Sequence, residues 1–167
     1  RTARIFAKTW IRRSRWHDRP MSEHRIHLDW NRGEAPFTYE SYPRNHQVRF
    51  KDGVAVTISS AAAYRGDPAH ADPEDLLVAA LSSCHMLSFL AVCAKKRLTV
   101  ESYRDDAVGF LENDGGKWWV TRVILRPHVV FAAAPDGETI AHIHHLAHEA
   151  CFIANSVKTD VRVEPTV

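Results

Sequence analysis

The fold class this chain predicts is α+β, and three observations carry that expectation. Asp72 to Lys96 is a long, nearly continuous apolar stretch with the caps of a single helix. Short segments of alternating apolar and polar residues flank it, separated by turn sequences. A second helical stretch, from about Glu138 to Phe152, precedes a last alternating segment. The order is strands, helix, strands, helix, strand, which reads as α+β.

The first strand signal is Arg25 to Trp30, where Ile26, Leu28 and Trp30 alternate with polar residues. Gln47–Phe50 and Val54–Ile58 flank Lys51-Asp52-Gly53, a hairpin turn. Gly66 to Asp72 is polar, contains Pro68 and reads as a loop. In the long helix Asp72 serves as cap, Pro73 suits the first helical position, and Glu74 and Asp75 suit the positive end of the dipole. Apolar residues occupy nearly every side from Leu76 to Val92, which predicts burial all round. Lys95, Lys96 and Arg97 favour its C-terminal end. Ala107–Leu111 and Trp118–Phe131 follow as strands joined by a glycine-rich turn, with Pro127 marking an edge or bend. Ala134-Pro135-Asp136-Gly137 breaks the pattern before the second helix, whose apolar face holds Ile140, Ile143, Leu146, Ala147 and Ala150. Val157–Val163 closes the chain as a strand.

The 167 residues suit one domain with one sizeable core, and the composition, 45% hydrophobic and 25% charged, is that of a globular chain. No run of consecutive apolar residues approaches the roughly 18 of a membrane span, so none is expected. A net charge of +2 is too small to argue for nucleic acid or a membrane as partner. The charge is unevenly placed: residues 1–20 hold seven Lys/Arg against Asp18 alone, and the remainder holds 15 Lys/Arg against 19 Asp/Glu. Such a basic arm suits nucleic-acid binding, an acid-poor targeting segment, or an extension ahead of a start at Met21. The domain is expected to span 21–167, with residues 1–20 outside the fold.

Three cysteines, Cys84, Cys93 and Cys151, are too few and odd in number for a secreted disulfide scaffold. A cytoplasmic location is expected, where such thiols are buried packing groups or reactive centres. Cys84 sits mid-helix, with small Ser82 and Ser83 leaving room beside the sulfur. Arg65 lies upstream as a candidate cation, and Glu74 at the helix start is placed to hold it. A guanidinium favours the thiolate, the form that reacts. Glu74 and Cys84 are ten residues apart, about 15 Å along a helix, so contact needs a bridging arginine, a break, or a second subunit. Cys93 stands about 13 Å beyond Cys84 on the same helix and reads as core. Cys151 has two readings: a packed residue, or a second thiol able to trap a sulfenic acid.

His142, His145 and His148 recur every third residue near His144 and Cys151. This suggests a metal site, but a three-residue period drifts around a helix, and a solvated or partly packed face is the better reading. His85 adjoins Cys84 but points about 100° away. Trp118 and Trp119 must face opposite sides of their strand.

Pro73-Glu74-Asp75-Leu76-Leu77, then Ala79-Ala80-Leu81-Ser82-Ser83-Cys84, then Cys151 on a late helix before a final strand, resembles the OsmC/Ohr family of bacterial thiol peroxidases, OsmC-like branch. The resemblance covers about residues 22–165. It implies two long central helices wrapped by antiparallel β-sheets in an intertwined homodimer, with active sites near the subunit interface. It implies Cys84 as peroxidatic cysteine, Cys151 as resolving cysteine and Glu74 as the acid that orients the catalytic arginine. Arg65 fits that arginine in the OsmC-like pattern; Arg44 or Arg49 would fit the Ohr branch. Ohr proteins carry Cys-Pro at the second cysteine, whereas this chain has Cys151-Phe152, which argues against their preference for large peroxides. The implied activity is reduction of an organic hydroperoxide or hydrogen peroxide, with a thiol or dithiol as reductant and no cofactor. The alternatives are a dimeric ligand-binding or stress-response protein with inert cysteines, and a His/Cys metal-binding protein.

Overall fold

A computed structural model describes residues 21–166. The basic segment 1–20 lies outside the described residues, and so does the expectation attached to it. The chain begins with an antiparallel sheet of β1 (His27–Asp29), β2 (His46–Arg49) and β3 (Ala55–Ile58). The β2–β3 turn is tight, with Asp52 and Gly53 both at positive φ, so a residue without a Cβ suits position 53. Between β1 and β2 the rings of Trp30, Phe37 and Tyr42 gather at centroid separations of 5.7–6.4 Å.

α1 (Pro73–Lys95) starts with a capping box: Asp72 accepts from the Asp75 N–H, and the Asp75 carboxylate accepts from the Asp72 N–H. At its end, Arg97 takes φ 60° and the Leu98 N–H donates to the Cys93 carbonyl at 3.0 Å, a left-handed cap that releases the chain into a strand.

That strand, β4 (Val100–Asp105), was not anticipated from sequence; it pairs antiparallel with β7 (Pro127–Phe131). β5 (Val108–Asp114) and β6 (Lys117–Leu125) form the expected hairpin around Gly115 and Gly116. The single strand predicted over 118–131 is two: β6 ends at Leu125, and Pro127, lacking a donor, begins β7 in a different sheet. α2 (Gly137–Glu149) is capped by Asp136, and β8 (Asp160–Val163) pairs with β6 in parallel. That parallel pair departs from the all-antiparallel expectation; β7 and α2 supply the crossover it requires.

The core has two parts strung along α1. Leu81 packs with Val120, Val123 and Leu125 of the β5–β6–β8 sheet. One helical stretch on, Phe89 and Cys93 pack with Ile143 and Ala147 of α2, beside Tyr103 and Phe131 of the β4–β7 sheet. Burial of α1 on all sides is not what the chain achieves by itself. Only Leu81, His85, Phe89 and Cys93 are fully buried, a stripe at four-residue spacing, because α2 and the sheets cover one side. The opposite side is open, with Leu87 60% exposed.

One element bears on the expectation of no membrane span without overturning it. α1 is, by length and composition, apolar enough to cross a bilayer, with a mean hydropathy of 2.0 over its best window. Small serines interrupt the apolar run without lowering the mean enough to exclude it. Its capping box and its packing against protein on one face fit a core helix equally well.

Candidate active site

Cys84 and Cys151 arrive from different elements and meet. Cys84 is half-buried in the middle of α1, 100° around the helix from the buried stripe. Cys151 is fully buried just beyond the last turn of α2, where its Sγ accepts from the Ala154 N–H at 3.4 Å. Burial pushes the Cys151 thiol up to about 11; the adjacent Cys84 thiol adds to the rise, and the Ala154 and Ile153 N–H groups pull the other way. Cys151 is therefore a protonated thiol at neutral pH, held against Cys84 with no bond between them. Cys93 lies in the core, as expected, and burial raises its thiol.

Cys84 opens onto an apolar groove of about 760 Å³ between α1 and the end of α2. Leu87, Ala91, Leu146, Ala150 and Ile153 form much of its wall. Its lining cations are Lys95 and Lys96, the nearer about 16 Å along the helix from Cys84. Ser83 lines the groove as expected, but Ser82 turns away and donates to Asp105 Oδ2 at 2.5 Å, tying α1 to β4.

The arginine does not reach the sulfur within one chain. Arg65 closes a short helical turn over Ala62–Tyr64 with φ 66°, and its guanidinium lies 5.7 Å from the Tyr39 ring. The turn is tight: a Cβ on Gly66 would fall 1.5 Å from the Ser60 carbonyl oxygen. Glu74 is half-buried and, among the described residues, pairs with no cation. The Glu74–Arg65 pair expected from sequence is thus not made inside a single chain, because the 60–66 turn carries Arg65 toward the aromatic cluster. Arg44 occupies that cluster too. Its guanidinium stacks 3.6 Å from the Tyr42 ring and donates to the carbonyls of Tyr42 and Tyr39, with Nε buried and unpartnered. Arg49 is engaged by Asp29 on the first sheet.

Sequence reasoning missed one buried pair. His85 Nε2 and His144 Nδ1 are 3.1 Å apart across the α1–α2 seam, their rings parallel within 5° and their centroids 5.4 Å apart. Burial first, then the neighbouring His144 and His148, lowers His85 to about 4; burial alone lowers His144 to about 4. The available signal was the period: His85 is the polar member of the Leu81–His85–Phe89–Cys93 stripe. His142, His145, His148 and Cys151 are not gathered into one site, and among the described residues no group of three or more His, Cys, Asp or Glu is placed to hold a metal. Trp118 is exposed and Trp119 half-buried, on opposite faces as the strand requires.

Comparison with known proteins bears on the family and the fold. A family model described as OsmC-like protein matches residues 66–166. An OsmC-like protein of unknown function from Vibrio cholerae has 46% sequence identity and a TM-score of 0.83, the match covering 87% of this chain and 100% of that one. An organic hydroperoxide resistance protein OsmC from Legionella pneumophila shares the fold, with 17% identity and a TM-score of 0.70 over 89% of this chain and 100% of its own. The uncharacterized protein YmaD of Bacillus subtilis is 22% identical over 125 residues, 72% of this chain and 83% of that protein. The chain belongs to the OsmC-like protein family.

Proposed function

We propose that this protein is a thiol-dependent hydroperoxide reductase in which Cys84 is the peroxidatic cysteine and Cys151 the resolving one. The observation that carries the reading is the meeting of the two thiols, one open to a groove and the other buried behind it. The Cys84 thiolate attacks the outer peroxide oxygen, the O–O bond breaks, and the leaving alkoxide or hydroxide takes a proton. The Cys84 sulfenic acid then condenses with the Cys151 thiol, forming an S–S bond and releasing water. A cellular thiol or dithiol reduces the disulfide. No metal or organic cofactor takes part, and the protein works in the cytoplasm.

The cation in this scheme comes from a second copy of the chain. The open side of α1 and the apolar groove favour an intertwined homodimer, in which the partner's N-terminal sheet covers the groove. Arg65, or Arg44 from the same aromatic cluster, then reaches Cys84, and Glu74 orients it. A guanidinium there stabilises both the thiolate and the leaving oxygen.

Peroxide consumption with a dithiol reductant tests the reading. The Cys84→Ser variant is expected to lose turnover, and Cys151→Ser to perform one oxidation and then stall. Turnover by Cys84→Ser at the native rate would overturn it. The groove itself favours a second reading, a binding module for an apolar ligand with inert cysteines; that protein would consume no peroxide and would gain thermal stability from ligand.

A further inference from the structure

The helices that carry Cys84 and Cys151 are joined by a second polar contact, the His85–His144 pair. His85 follows Cys84 on α1, and His144 lies two turns before Cys151 on α2. Any slide or roll of α2 against α1 therefore changes both contacts together. The pair is also confined: the Phe89 ring lies 4.3 Å from the His144 ring, and both imidazoles are almost wholly inaccessible to solvent.

For stability alone this is a poor arrangement. One hydrogen bond joins the rings, while His85 Nδ1 and His144 Nε2 are buried without a partner. Unsatisfied polar atoms in a core lower stability, and apolar side chains of similar volume would pack there at less cost. What the pair supplies and hydrocarbon does not is direction. A 3.1 Å hydrogen bond between two parallel rings permits one register, whereas apolar surfaces tolerate sliding.

We infer that His85 and His144 are positioning residues that hold the α1–α2 register at which the Cys151 thiol faces the oxidised Cys84. The inference rests on the peroxidase reading and concerns its second step. Condensation removes the sulfenic oxygen as water, with the thiol hydrogen, and forms the S–S bond. It needs the attacking sulfur in line, and a misplacement of about 1 Å is enough to slow such a step by tenfold or more. The first step, with a peroxide as small as hydrogen peroxide, requires Cys84 and its cation and uses α2 only as one wall of the groove, without the in-line placement of Cys151.

The test separates the two steps in the full chain. Reduced protein is mixed with hydrogen peroxide; dimedone trapping measures sulfenic acid formation, and non-reducing peptide mapping measures the Cys84–Cys151 disulfide. His144→Phe and the pair His85→Leu/His144→Phe are expected to form sulfenic acid at the native rate and the disulfide about tenfold more slowly. Their Tm is expected to equal or exceed that of the parent. His144→Gln, able to keep one hydrogen bond to His85, should restore much of the condensation rate. Disulfide formation at the native rate in both apolar variants overturns the inference. So does a loss of rate that merely follows a loss of Tm. If the unsubstituted protein forms no sulfenic acid, the peroxidase reading has failed instead.

Discussion

At the scale of single residues, the three cysteines differ because their surroundings differ. Cys84 is half-buried on a groove, while Cys93 and Cys151 are each 1% exposed and raised by burial. A neutral alkylating agent at pH 7 should therefore modify Cys84 first and leave the other two intact until the chain unfolds. Mass mapping of briefly treated native protein checks this, and equal labelling of all three would contradict the burial order. The histidine pair gives a second expectation. Both rings fall from 6.5 to about 4 in the folded state, so the unfolded chain binds more protons between those values. Stability is then complete above pH 6.5 and declines as pH falls toward 4. Urea titrations at pH 7 and pH 5 measure it; a variant without the pair should show a smaller loss.

At the scale of elements, the ends of α1 are built unequally. The Asp72–Asp75 capping box satisfies two N-terminal N–H groups, so Asp72→Ala should cost about 1 kcal/mol in denaturant unfolding. Arg97 terminates the helix at positive φ, where glycine carries less strain, so Arg97→Gly should add up to about 1 kcal/mol. The N-terminal cap was legible because Asp-Pro-Glu-Asp before an apolar run has few other readings. β4 was not, because Val100–Asp105 is mostly charged or polar and its burial depends on pairing with β7. The division of 118–131 was signalled by Pro127, but which sheet each half joins is set by distant strands.

At the scale of the molecule, Cys84, Cys151 and Glu74 stand out in the sequence as candidates, yet the meeting of the two thiols could not be read there. That meeting depends on how α2 returns across α1, a contact between residues 67 positions apart. The Arg65–Glu74 pair is absent within one chain because the 60–66 turn carries the Arg65 guanidinium to the Tyr39 ring. The groove beside Cys84 carries Leu87 and Phe152, 60% and 63% exposed. Sedimentation at micromolar concentration should find a dimer, and Leu87→Glu, which places a charge on the open side of α1, should shift it to monomer and reduce peroxide turnover. A monomeric parent protein would remove the source proposed for the cation.

The most direct measurement is a peptide map of reduced protein treated with one equivalent of hydroperoxide and digested without reductant. Expected is one new cross-linked species joining the Cys84 and Cys151 peptides, with Cys93 still a free thiol and no such species in Cys84→Ser. Three unchanged thiols, or oxidation that spares Cys84, would contradict a peroxidatic cysteine on α1.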